Sequence, residues 1–267
     1  MTSLKALRSI RRAKTYQSKN YRMILPQMSY EERRREIMTD YQEIYAYQKR
    51  QQINQRKEIL RHEKFPIYFK QVLYTTKSKN KWVLQSYATS RDYVNDLMHG
   101  CYCLMNTSSG YYAVKPVFTE QSRDIAGVYF YTPHFFSRYK LRNDLELEGI
   151  DLRSHFFKNN LNVRYGVLKY PEGTYDFDEE THGVTNEGVS LGIREKGSSL
   201  IFRTFITFPM LKGNQISTFN LMNELRKEEY EPGYWKPSDH NAPKMKEIPS
   251  FIDELKEFCS SYLDGME

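Results

Sequence analysis

A long polar helix with a thin apolar stripe is the first regular pattern in the chain. Ser29 is followed by Glu31 and Glu32, an arrangement that caps a helix start, and good helix formers continue without Gly or Pro to about Glu63. Its apolar positions recur irregularly, without sustained heptads: Ile37, Tyr41, Ile44, Tyr45, Tyr47, Ile53, Ile59 and Leu60. The pattern predicts one helix over residues 29–64 that packs on the rest of the chain, on a second copy or on a protein partner.

After Pro66 the pattern changes to short β-type runs separated by turn-forming residues. These runs predict three hairpins, near residues 67–87, 101–118 and 188–208. Because the connecting turns are short, we expect the strands within each hairpin to be antiparallel.

Two further helices are predicted to begin at Thr132 and Asp151. Together with the hairpins they indicate an α+β fold, in which a mainly antiparallel sheet packs against two or more helices. We expect residues 65–228 to form this globular domain and residues 229–267 to form a C-terminal tail that contains a helix.

The stretch from Gly127 to Arg142 contains the sharpest change of local structure. Residues 127–131 favour a strand, and the Thr-Pro pair at 132–133 provides a helix cap followed by a first helical residue. On the helix that follows, His134, Arg138 and Arg142 are spaced i, i+4, i+8, which places them within an arc of about 80°.

This row of residues has two interpretations. An imidazole in line with two permanent cations near a helix N-terminus suits a phosphodiester. The same residues are also typical of the solvated face of an amphipathic helix, whose other side, with Phe135 and Tyr139, faces the core. The pattern by itself leaves both interpretations open.

Positive charge is concentrated at the N-terminus. Residues 1–64 contain sixteen Lys and Arg but seven Asp and Glu. Residues 1–28 contain no acid and seven cations: Lys5, Arg8, Arg11, Arg12, Lys14, Lys19 and Arg22. We interpret this segment as a partly disordered basic arm that binds nucleic acid or an acidic partner, although the same composition suits a solubilising tail.

Several kinds of site are disfavoured. No apolar run approaches the roughly 18 residues that span a bilayer, and no secretory signal follows the first charges, so we expect a cytoplasmic protein without a membrane segment. Cys101 and Cys103 make neither a disulfide framework nor a metal signature. The acidic cluster over residues 175–182 suits a divalent ion less well than a solvated loop. We therefore expect no metal and no cofactor.

The chain places a strand, a helix with His-x3-Arg-x3-Arg, a second helix, a hairpin and a strand ending in Arg-Thr-Phe-Ile-Thr in that order. This order, over residues 127–208, resembles a bacterial domain family of unknown function that is similar to the BrnT and RelE toxins and, more remotely, to the barnase and EndoU ribonucleases. The residues that match its motifs are His134, Arg138, Arg142, Arg203 and Thr204. Phe135 and Leu141 depart from it, since the family commonly has a small residue and a Glu there.

The resemblance implies metal-independent cleavage of RNA, in which a 2′-hydroxyl attacks its own phosphate. His134 would be the acid or base, worth about 10²–10⁴ in rate, and Thr204 would orient the substrate. The phosphate would be held by Arg138, Arg142 and Arg203. Guanidinium groups suit this task because they match phosphate oxygens and stay charged. The second proton-transfer group is left open between Tyr139, His155 and no side chain at all.

Three classes of function therefore remain open. They are a toxin-like ribonuclease, a nucleic-acid-binding accessory protein of a bacterial mobile element without catalysis, and a structural or partner-binding protein. We expect the protein to associate with nucleic acid, and with RNA rather than DNA. RNA cleavage is the specific mechanism that we expect this association to include. No phosphate-binding glycine loop or nucleophile elbow points to another enzyme class.

Overall fold

The computed structural model describes residues 22–95, 97–118, 125–161, 163–169, 179–194 and 199–230. The basic arm up to residue 21, residues 175–178 of the acidic cluster over 175–182 and the tail from residue 231 lie outside these described residues.

The described residues contain four α-helices. They are α1 (Tyr30–Arg61), α2 (Pro133–Arg142), α3 (Gly149–Asn159) and α4 (Asn214–Tyr230), with short 3-10 turns at Arg91–Asn95 and Phe208–Met210. The predicted start of α1 is confirmed, because the Ser29 hydroxyl accepts from the Glu32 backbone N–H while the Glu32 carboxylate accepts from the Ser29 N–H at 2.9 Å. Within the described residues, no helix has the length and apolar character needed to cross a membrane.

The strands of the described residues form one ten-stranded sheet. They are β1 (Ile67–Tyr68), β2 (Val72–Thr75), β3 (Lys81–Ala88), β4 (Met98–Thr107), β5 (Gly110–Phe118), β6 (Ile125–Tyr131), β7 (Arg164–Lys169), β8 (Glu179–Val184), β9 (Val189–Arg194) and β10 (Leu200–Ile206). The order across the sheet is β1-β3-β4-β5-β6-β10-β9-β8-β7, and β2 also pairs with β3. The predicted α+β class and all three hairpins are confirmed.

One parallel pair joins the two halves of this otherwise antiparallel sheet. Strand β10 lies beside β6 with Leu200 opposite Tyr129 and Phe202 opposite Tyr131. A parallel pair needs a long crossover, and α2, α3 and strands β7 to β9 supply it. The end of β6, where α2 begins, therefore lies beside the middle of β10.

Aromatic side chains join α2 and α3 to one face of the sheet. The buried cluster consists of Val83, Tyr102, Ala113, Tyr131, Phe135, Phe136, Tyr139, Leu152, Phe156, Leu200, Phe202 and Phe205. Edge-to-face pairs such as Phe135 with Phe156 and Tyr139 with Phe205, each with ring centroids 5.0 Å apart, add to the burial energy. Phe202 and Phe205 of β10 thus belong to the face of the sheet that α2 and α3 cover.

The opposite face of the sheet is covered by α1. This second cluster contains Ile24, Ile37, Ile44, Trp82, Leu84, Cys103, Met105, Val114, Val128 and Phe130. A buried polar contact fixes the helix, since the Asp40 carboxylate accepts from the Asn80 amide at 2.7 Å and from the Trp82 indole at 2.8 Å. The predicted packing of the helix on its own chain is confirmed. Pairing of α1 with a second copy or a protein partner stays a prediction.

Candidate functional site

The start of α2 is fixed to two strands at once. As predicted, Thr132 caps the helix, and its hydroxyl accepts from the Phe135 backbone N–H at 3.0 Å. The Thr132 N–H donates to the carbonyl of Phe202 in β10 at 3.1 Å. Pro133 follows in the first helical position, where a missing N–H costs nothing. This hydrogen bond therefore holds the first turn of α2 next to Arg203, the residue that follows Phe202 in β10.

A bulge in β10 decides which way Arg203 points. Phe202 lies opposite Gly192 of β9, whereas Thr204 lies opposite the next residue back, Leu191, so Arg203 is the extra residue. A bulge of this kind lets Phe202 and Phe205 both be buried on the face that α2 and α3 cover. It also changes the direction of the Arg203 side chain. Arg203 is exposed.

Arg203 and His134 line the same open cleft. The cleft has a volume of about 530 Å³, and its walls are mostly apolar. Its lining residues are Ser109, Tyr112, Thr132, Pro133, His134, Ser137 and Arg203. The turn between β4 and β5 reaches it because Gly110, with φ of +114°, packs close to Pro133. Residues from two hairpins and one helix therefore meet here.

The imidazole of His134 is exposed and lies next to Arg138. The Nε of Arg138 lies 3.3 Å from the Nε2 of His134. A guanidinium N–H only donates, so Nε2 accepts and the ring proton lies on Nδ1 while this hydrogen bond is present. Arg138 thus places a permanent positive charge beside the imidazole that lines the cleft.

Arg142 and Thr204 make a separate contact. The Nη1 of Arg142 donates to the Phe205 carbonyl and lies 3.5 Å from the Thr204 hydroxyl. Burial, and secondly the charge of Arg138, lowers the pKa of Arg142. Eight residues of helix separate Arg142 from His134, a rise of about 12 Å. Of the five predicted site residues, His134 and Arg203 therefore line the cleft, and Arg138 contacts His134 from outside its lining. Arg142 and Thr204 belong to a separate tie that holds the C-terminal half of α2 on β10.

Tyr139 and His155, the two candidates for a second proton-transfer group, lie in a network away from the cleft lining. The Tyr139 hydroxyl donates to Glu187 at 2.5 Å and lies 2.9 Å from the Nδ1 of His155. Asn160 and Asn159 donate to the same carboxylate at 2.6 and 3.2 Å. Burial and the Glu187 hydrogen bond raise the pKa of Tyr139 well above its usual range. The arrangement joins α2 and α3 to the turn before β9.

Sequence reasoning missed three cleft residues, Ser109, Tyr112 and Ser137, and the acceptor Glu187. Ser137 follows from the helical pattern, because it lies three residues after His134. Ser109 and Tyr112 carry no local signal, since only the packing of the β4–β5 turn on Pro133 brings them to the cleft.

Only one cation of the predicted arm, Arg22, lies in the described residues. Its Nη1 is 3.5 Å from Glu32 at the start of α1. The pKa of Glu32 is lowered first by its hydrogen bonds from Ser29 and then by Arg22. The other six lie outside the described residues: Lys5, Arg8, Arg11, Arg12, Lys14 and Lys19. Their predicted contact with nucleic acid stays a prediction.

The described part of the acidic cluster is built into the sheet. Glu179 of β8 pairs with Arg194 of β9 at 2.9 Å, and His182 is buried. No group of three or more His, Cys, Asp or Glu side chains that could hold a metal ion occurs among the described residues.

Comparisons of the chain with protein-family models, with curated proteins and with solved structures found no match. The resemblance to ribonuclease-like domains therefore stays an expectation.

Proposed function

We propose that this is a nucleic-acid-associated protein that binds the RNA backbone in the cleft of His134 and Arg203, and that His134 supports metal-independent cleavage there. The observation that carries the proposal is the meeting of these two residues, distant in sequence, on one cleft. Within the described part of the chain, the Arg203 side chain makes no hydrogen bond or ion pair, although it is exposed beside the start of a helix. A cation left unneutralised in a cleft favours an anionic ligand.

A phosphodiester fits the donors that converge there. The Arg203 guanidinium offers a planar pair of N–H groups that match two phosphate oxygens. The first turn of α2 adds the positive end of a helix dipole beside it. Ser137 lines the same space, and its hydroxyl can donate to a remaining oxygen.

The cleavage step follows from the position of His134. The 2′-hydroxyl gives its proton to the imidazole and its oxygen bonds to phosphorus, while the bond from phosphorus to the 5′-oxygen breaks. The leaving oxygen takes a proton from water or a cleft hydroxyl, and the products are a 2′,3′-cyclic phosphate and a 5′-hydroxyl. Proton abstraction at Nε2 requires Arg138 to release that nitrogen, which frees its guanidinium for the phosphate. DNA lacks the attacking hydroxyl, so RNA is the substrate.

The test compares RNA and DNA of one sequence, incubated with the full-length protein in EDTA. We expect wild type to cut RNA only, and His134→Gln to reduce the rate by about 10²-fold or more with RNA affinity and melting temperature nearly unchanged. Arg203→Gln should weaken both binding and cleavage. The control Arg56→Gln removes an exposed charge of α1 outside the cleft and should change neither.

Two results would contradict the proposal separately. RNA left intact by a protein that binds it through Arg203 removes the catalytic part and leaves the binding part. Equal RNA affinity for Arg203→Gln and Arg56→Gln removes the binding site itself.

A further inference from the structure

The cleft contains more than a phosphate-binding site needs. Beside Arg203 and His134, its lining includes Tyr112 and Pro133, and most of the lining surface is apolar. A bare phosphate gains nothing from apolar walls, whereas the flat face of a nucleobase does. Tyr112 is only half-buried, and within the described residues its hydroxyl makes no hydrogen bond.

The sheet register places the backbone of Tyr112 level with that of Arg203. Ala113 of β5 lies opposite Tyr131 of β6, so Tyr112 and Thr132, the next residues towards the cleft, are level with each other. Tyr131 in turn lies opposite Phe202 of β10, so Arg203 is at that level too. Two strand spacings, about 10 Å, therefore separate the backbones that carry Tyr112 and Arg203.

We infer that the cleft takes one unpaired nucleotide of a single-stranded RNA, with its phosphate at Arg203 and His134 and its base against the ring of Tyr112. This inference rests on the proposed function and specifies its substrate class. A volume of about 530 Å³ suits a group of nucleotide size. In a duplex every base is paired and stacked between its neighbours, so none is available to enter the cleft.

Binding of uncleavable 2′-O-methyl RNA, as a single strand and annealed to its complement, tests the inference in the full-length protein. Tyr112→Leu keeps the apolar contact with the cluster under α1 but removes the ring. We expect it to weaken single-strand binding by roughly 5-fold or more, and duplex binding hardly at all. Tyr112→Phe should bind as wild type does.

The matched control is Tyr111→Leu, because Tyr111 is an exposed neighbour on β5 that does not line the cleft. It should bind single strands as wild type does. Arg203→Gln should weaken single strand and duplex together. If Arg203→Gln weakens binding but Tyr112→Leu does not, the stacking inference is wrong and the proposed function stands. If neither changes affinity, both are wrong.

A measurement on the wild-type protein covers the case in which Tyr112→Leu does not fold. A single strand that carries 2-aminopurine reports stacking through quenching of its fluorescence. We expect saturating protein to quench the free single strand further, beyond the quenching caused by its own bases. Unchanged fluorescence at saturation would overturn the inference.

Discussion

Arg203 lines the cleft because it is the extra residue of a bulge in β10. Regular alternation from Phe202 would place Arg203 and Phe205 on the same side, away from the cluster under α2 and α3. The bulge between Phe202 and Thr204 instead keeps both Phe rings in the core and leaves the guanidinium at the cleft. The chemistry proposed for the cleft depends on this local irregularity.

His182 is a second residue whose environment determines its chemistry. The imidazole lies across Gly166 of β7, where a side chain would collide with it, and meets the edge of the Phe219 ring of α4 at 5.3 Å. Its Nε2 is buried without a hydrogen-bond partner in the described residues. Burial lowers the pKa of His182 to about 4. The folded protein therefore holds this ring neutral.

This shift predicts a loss of stability in mild acid. As the pH falls below about 6.5, the unfolded chain binds a proton at His182 that the folded protein binds only near pH 4. The free energy of unfolding should fall across this window by up to about 3 kcal/mol, and the contribution of His182 should level off below it. Urea unfolding at a series of pH values measures it. In His182→Phe, the part of the pH dependence of the unfolding free energy that His182 causes should vanish. An unchanged pH dependence would show that other groups cause it.

Among the elements, α2, α3 and the β8–β9 turn are joined through a single carboxylate. Glu187 accepts from Tyr139 of α2 and from Asn160, and its own N–H lies 3.3 Å from the Asn160 side-chain oxygen. The turn itself is closed by the Thr185 hydroxyl, which donates to the Gly188 carbonyl at 2.9 Å. A part-buried acceptor shared by several donors is costly to remove, because each donor would be left unsatisfied.

Glu187→Gln should therefore destabilise the protein by about 1–3 kcal/mol, since the amide nitrogen now faces donors that require an acceptor. Chemical unfolding measures the change. Glu146→Gln, a change at an exposed residue between α2 and α3, is the matched control and should have little effect. Since Glu187 lies outside the cleft lining, RNA affinity of the folded variant should match that of wild type. A stability equal to that of the control would contradict this role of Glu187.

At the scale of the whole molecule, the basic arm joins the body at the same end of the sheet as the cleft. The Ile24 N–H donates to the Asn80 side chain at 2.8 Å, and Ile24 is buried beneath α1. Asn80 precedes Lys81, which lies in one row with Leu104, Ala113 and Tyr131 across β3 to β6. Because Ile24 belongs to the core, a truncation that starts at Arg22 keeps this contact.

Deletion of residues 1–21 should weaken binding to RNA and to duplex DNA alike, because the arm's cations bind phosphates and read no bases. Binding measured over a salt series should show a shallower slope of log K against log salt, by about 0.7–0.9 for each phosphate that the arm neutralises in the full-length protein. Preference for single strands should persist, since Tyr112 is untouched. Equal affinity and slope for the truncated and full-length proteins would refute a role for the arm.

The sequence by itself determined the features that depend on neighbours along the chain. The Ser29 cap of α1, the Thr132 start of α2 and the β9–β10 hairpin were all predictable, because caps, fixed proline geometry and short turns act within a few residues. The alignment of His134 with Arg138 followed from helical spacing alone.

Only the tertiary structure decided which distant residues meet. The parallel pairing of β6 with β10, the bulge at Arg203 and the arrival of Tyr112 at the cleft have no local signature. Each is the outcome of packing two faces of one sheet against helices at the same time, and such long-range contacts leave no periodicity in the chain. Arg142 was predicted to share a site with His134, but its guanidinium donates to the Phe205 carbonyl instead. The cause is again tertiary, because α2 packs along β10 at that point.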